Sequence, residues 1–351
     1  MSRNILSDKF LSISWAIDNG ILDGDIVSLA AKIGDIELLQ KLCELGCPWN
    51  EEAAYRAVEG GNLECLKYLH ENCCPINDEE TCSRAATHGQ LDCLMYLHEQ
   101  GYEWDEASVH SAAKYGHIAC LRYLHKHQCP WNKESCYWAA YGGNRLCLQY
   151  LRQEGCPWDK ECFHAAARAG REDILSYLHD NGCPWDEGAC NVAARYGHLD
   201  CLKYLHEEGC PWDKTACDIA AFYGKLECLE WLHKQGCPWN KATSIAAASN
   251  GQLKCLKYLH REGCPWGWEV VDAAATHGQL KCLQYLHSNG CDWHWTTYRA
   301  VKQMDDNHAC YEYLHENGCP RSFLGRDPIY SISLTMALLA IIVQLFSFLT
   351  V

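Results

Sequence analysis

The sequence predicts an all-α fold, a solenoid of stacked helical hairpins. Three features predict it: a short string recurs at a nearly fixed period, helix stop signals fall at the same two places in each period, and leucines lie between them at helical spacing. Gly-Cys-Pro-Trp begins at Gly46, Gly155, Gly182, Gly209, Gly236 and Gly263, with eroded copies at Cys73, Gly101, Gln128, Gly290 and Gly318. Successive marks are 27 residues apart, except for 28 at Cys73–Gly101 and Gly290–Gly318. Eleven units therefore run without a linker from about Asp23 to Pro320.

The elements of one unit follow from local chemistry, as in the copy that ends at Gly209. Asp186 follows Pro184-Trp185 and suits a helix N-cap, and Glu187 sits in the first turn, where it favours the helix dipole. A short first helix is expected over Cys190–Tyr196, carrying the small pair Ala193-Ala194, with Gly197 as its left-handed stop. A second helix is expected from about Leu199 to Glu208, with Leu199, Leu202 and Leu205 on one buried face. Gly209 ends it and Pro211 prevents its continuation. One such hairpin cannot bury its apolar face; stacked copies can.

The run Ala193 to Cys210, Ala-Ala-x-x-Gly-His-Leu-x-Cys-Leu-x-Tyr-Leu-His-x-x-Gly-Cys, resembles the ankyrin repeat. It departs from that family in two ways. The unit has 27 residues rather than the family's usual length of about 33, and Gly188-Ala189-Cys190-Asn191 stand where Thr-Pro-Leu-His opens the repeat. The resemblance implies an ankyrin-like solenoid with shortened or absent β-fingers. It is similar to the short, Cys-Pro-Trp-bearing repeats of large DNA viruses and protists.

Charge excludes some functions. Thirty basic against 45 acidic residues give −15, the wrong sign for a surface that neutralises phosphates, so no nucleic-acid partner is expected. Met1 to Trp15 mixes Arg3, Asp8 and Lys9 with isolated apolar residues and does not read as an export signal. The 26 cysteines are accordingly expected as reduced thiols in an intracellular protein.

Their phase explains most of them. Nine share one position on the second helix (Cys65, Cys93, Cys120, Cys147, Cys201, Cys228, Cys255, Cys282 and Cys310), ten follow the hairpin end from Cys47 to Cys319, and Cys82, Cys136, Cys190 and Cys217 share a third position. Metal binding is disfavoured, since no Cys-x-x-Cys occurs and equivalent residues of stacked units should lie roughly 8–10 Å apart. Small buried hydrophobes are the better reading. The Leu-His histidines (His70, His98, His125, His179, His206, His233, His260, His287 and His315) are expected to brace each hairpin end against the next unit, and the Pro-Trp tryptophans to seal the loops.

Information about a partner should lie where the units vary. By the resemblance, the first helix lines the concave face. Its variable positions are Arg56 with Glu59, Arg84 with His88, Lys114 with Tyr115, Trp138 with Tyr141, Arg168, Arg195 with Tyr196, and Phe222 with Tyr223. Aromatics and arginines anchor interfaces, so this stripe is the expected binding face, suited to an acidic segment of a protein partner.

The ends differ from the array. Residues 1–22 lack the repeat and are expected to cap it. No charge occurs after Asp327, and Ile329 to Val351 is a 23-residue apolar stretch, roughly 34 Å as a helix at about 1.5 Å per residue. It is expected to be a C-terminal transmembrane anchor, with Arg321 and Arg326 on the cytosolic side. The whole reads as a monomeric, non-enzymatic interaction scaffold without cofactor, tethered to a membrane. Two alternatives stay open: a metal- or redox-dependent regulator using the repeated Cys and His, or a repeat-expansion product with no dedicated partner.

Overall fold

A computed structural model describes residues 24–302 and 308–320. Every regular element among them is an α-helix, 22 in all, paired as eleven antiparallel hairpins with no strand. The β-fingers are thus absent from the described residues. The expected leading cap (1–22) and apolar tail (329–351) lie outside them, and no described helix is long and apolar enough to cross a membrane.

In the seventh repeat the Asp186 carboxylate accepts from Gly188 N at 3.0 Å. That cap starts the first helix at once, so it spans Glu187–Tyr196, three residues earlier than its small-residue pattern suggests. Gly197 closes it in the left-handed conformation (φ 82°), and the second helix runs Leu199–Glu207. The fifth repeat adds a full capping box: Asn132 caps Lys133–Gly142, and the Ser135 hydroxyl oxygen accepts from the Asn132 backbone N–H.

The chain divides after Trp185 into two compact units. Within each, first helices pack on first helices of the next repeat, and second helices on second helices. The alanine pair of the first helix (Ala139-Ala140, Ala220-Ala221) and the two leucines of the second (Leu148 and Leu151, Leu229 and Leu232) are fully buried. Small alanines let the first helices approach closely, and the leucines fill the layer behind. Truncating one such leucine to alanine would cost about 2–5 kcal/mol.

The 28-residue spacing in the third repeat is absorbed by its first helix, which has eleven residues, Asp78–His88, against ten in the repeats on either side. The following helix, Leu91–Glu99, keeps its usual nine.

Candidate binding face and the seams that hold it

Within each compact unit, three kinds of contact recur at the seams between repeats, with substitutions at some of them. First, the Leu-His histidine stacks on the tryptophan of the loop that follows it and hydrogen-bonds a tyrosine one repeat on. His98 stacks on Trp104 (ring centroids 4.0 Å apart), and its Nδ1 lies 2.9 Å from Tyr123 Oη. His233 does the same with Trp239 and Tyr258, at 3.6 and 2.9 Å. The expected brace is therefore present, and the tryptophan is part of it. In the fifth repeat Arg152 replaces the histidine; its guanidinium sits 4.0 Å over Trp158 and donates to the Cys156 carbonyl at 2.8 Å.

Second, the residue after the stopping glycine reaches back to carbonyls that the previous first helix leaves unsatisfied. Asn144 Nδ2 donates to the Ala113 and Lys114 carbonyls at 3.0 and 2.6 Å, and His117 Nε2 lies 3.0 Å from the Thr87 carbonyl. Third, the thiol that follows the hairpin end donates back to the carbonyl of the preceding repeat's first N-cap, as Cys129 does to Asp105 (3.2 Å) and Cys264 to Asn240 (3.3 Å).

All 26 cysteines are free thiols, and only Cys43 and Cys73 are not buried. Burial pushes the second-helix thiols up, Cys120 to about 11 and Cys147 to about 12, which suppresses the reactive thiolate at neutral pH. Among the described residues, no three His, Cys, Asp or Glu side chains converge as a metal site would require.

The variable first-helix residues gather into three groups. In repeats one to three, Glu59 gathers cations: Lys32 Nζ and Arg56 Nη1 reach one oxygen at 3.3 and 2.8 Å, and Arg84 Nη1 reaches the other at 3.1 Å. Burial pushes the Glu59 carboxyl up, but the hydrogen bonds from Arg56 and Lys32 pull harder and hold it below the usual carboxylate range. Arg56 also pairs with Glu52 and Arg84 with Glu80. These two arginines are thus already neutralised within the chain, which weakens the reading of this end as a receptor for acidic segments.

In repeats four to six the stripe becomes aromatic. Lys114 Nζ lies 4.8 Å from the Trp138 ring, 5.2 Å from Tyr115 and 5.7 Å from Tyr141, and Arg168 lies 5.8 Å from Tyr141 on its other side in sequence. Trp138 meets Tyr141 edge to face at 5.8 Å, and Tyr115 is half exposed. The third group belongs to the second compact unit. There Arg195 lies 4.8 Å over Tyr223 and 5.6 Å from Tyr196, and Tyr223 meets Phe222 at 5.0 Å.

Tyr137, beside Trp138, escaped the sequence pattern because attention to the residue before the alanine pair selects Trp138 alone. Its ring stands at 88° to Trp138 with centroids 5.2 Å apart. The signal was the aromatic doublet itself. Together they wall a shallow recess of about 280 Å³, completed by Lys133, Glu134, Asp159 and Glu161.

Such a stack of helical hairpins, with fixed seams and one variable face, defines a repeat protein of the interaction class. A family model for ankyrin repeats, three copies in tandem, matches residues 27–106, 82–162, 136–216, 163–243 and 218–297. The chain belongs to the ankyrin repeat family, whose repeats mediate protein–protein interactions. No match was found among curated proteins. Among solved structures, the crystal structure of the human ASB11 ankyrin repeat domain is similar, with 21% identity over 53% of this chain and 98% of that chain, at a TM-score of 0.43.

Proposed function

We propose that this chain is a scaffold that captures a protein partner along its first-helix face, with the main contact at Lys114, Trp138, Tyr141 and Arg168. One observation carries the reading: on this face the half-buried rings of Trp138 and Tyr141 are held at 4.8–5.8 Å from each other and from the Lys114 and Arg168 cations, while the frame around them repeats. Pre-ordered aromatics and arginines lose little entropy on binding, which is why they anchor interfaces. Arg56 and Arg84 act in this reading as supports rather than anchors, and Arg195, Tyr196, Phe222 and Tyr223 form a second patch.

The test replaces Trp138, Arg168, Arg195 and Tyr223 with Ala and compares recovered partners by quantitative mass spectrometry. Partners recovered equally by the variant and the parent, with equal helix content, would defeat the proposal. A membrane tether is a second element of the reading, supported by the uncharged sequence Ile329–Val351 alone. Carbonate extraction of the full chain and of a version ending at Arg326 tests it; equal solubility would remove the tether.

A further inference from the structure

Building on that reading of the first-helix face, we infer that the recess beside Tyr137 and Trp138 is a receptor for one arginine side chain of the partner. The chain itself displays the filled version of this site. Between repeats two and three, the Arg84 guanidinium lies 4.2 Å over the Tyr55 ring. It donates to Glu80 at 2.9 Å, and Glu80 also accepts from Tyr55 Oη at 2.9 Å. Ring, cation and carboxylate close a three-membered set.

Counting from the stopping glycines Gly61, Gly89, Gly143 and Gly170, the equivalents between repeats five and six are Tyr137 for Tyr55 and Glu161 for Glu80. The equivalent of Arg84 is Ala165. Ring and carboxylate are therefore retained while the cation is gone, and the ring and carboxylate that remain wall the recess together with Trp138. Two other recesses among the described residues of this face, beside Arg56 and beside Arg84, each carry their own arginine and no Tyr, Trp or Phe.

Charge fits the same occupant. Lys133 is matched by Asp159 at 2.8 Å, which leaves the carboxylates of Glu134 and Glu161, the latter 3.1 Å from His164 Nδ1. Asp159, Glu161 and Glu134 all raise the Lys133 ammonium above its usual range, so the recess holds positive charge favourably. A guanidinium suits it better than an ammonium: its flat face can lie on Tyr137 while its N–H groups reach the two carboxylates.

A random peptide library displayed on phage is selected on the full chain, and the resulting peptides are titrated by fluorescence anisotropy. The expected peptides carry an arginine whose replacement by Ala weakens binding at least tenfold, and by Lys less. Ala165→Arg, which restores the internal cation, should weaken the parent peptide at least tenfold and leave the Ala-substituted peptide unchanged. Glu134→Gln with Glu161→Gln provides the same readout should Ala165→Arg lose helix content. Peptides that lose binding with Trp138→Ala yet need no arginine, or tolerate both filling and charge variants, would overturn the arginine receptor and keep the face. Peptides indifferent to Trp138→Ala and Arg168→Ala would overturn the face as well.

Discussion

His125 Nδ1 and Tyr150 Oη, 25 residues apart in sequence, are joined by a 2.8 Å hydrogen bond across the seam between repeats four and five. The same imidazole stacks on Trp131 at 3.9 Å, so one histidine couples its own loop to the next repeat. Tyr150→Phe removes only the hydroxyl. A loss of about 1 kcal/mol is expected, since the part-buried imidazole nitrogen is left without its partner. Hydrogen exchange should show faster opening in repeats four and five and little change beyond them, because stability in a repeat array is set by neighbouring contacts.

The two glycines of the repeat carry different constraints. Gly89 has φ 71°, and a Cβ there would lie 2.3 Å from His117 Nδ1. Gln128 occupies the position of the second glycine with φ 62°, and at its equivalent Gly155 a Cβ would meet nothing within 4 Å. Gln128→Gly should therefore stabilise the fold by about 1 kcal/mol by relieving the left-handed backbone of a side-chain-bearing residue. Gly89→Ala should destabilise it by more, since it adds a clash to the strain. Urea midpoints of the two variants check both signs.

Stability should fall on mild acidification. Burial lowers the His98 imidazole from its usual 6.5, and the neighbouring His127 adds to the shift. The folded state then binds fewer protons than the unfolded chain. This contribution is complete above about pH 6.5 and is lost as the pH drops through that value toward the folded-state pKa. Urea midpoints should be lower at pH 5.5 than at pH 7.5, and His98→Gln should reduce the difference.

Cys255 and Cys264, which flank the hairpin end at Gly263, should respond differently to serine. Cys255 is 1% exposed, and its thiol makes no hydrogen bond among the described residues. Cys255→Ser buries a hydroxyl among apolar groups and should cost about 1–3 kcal/mol. Cys264 already donates to the Asn240 carbonyl at 3.3 Å, and a serine can keep that bond. Cys264→Ser should cost less than half as much, as read from thermal unfolding of both variants.

The hairpins were legible because caps and stops act locally: Asp186 and Gly197 sit where the sequence places them. The first helix begins at Glu187 because the cap outweighs the small-residue pattern that points to Cys190. Burial of the alanine pair, the cysteines, Leu202 and Leu205 was equally readable from phase, whereas Leu199, at the start of its helix, is only half-buried. What the sequence concealed was pairing across repeats. Glu59 stood out only as a variable position, and nothing local shows that its carboxylate gathers cations from three repeats. Likewise the tyrosine that His125 meets precedes another repeat's Leu-Arg, a relationship that appears only once the hairpins are stacked.

The uniform seam also bears on heredity. If residues 130–156 were excised, Cys129 would join Pro157 and restore Cys-Pro-Trp, Trp158 would take the place of Trp131 beside His125, and Tyr177 that of Tyr150. Unequal crossing-over between such units can therefore lengthen or shorten the gene by whole repeats and still encode a chain whose joints match, leaving selection free to act on the face alone.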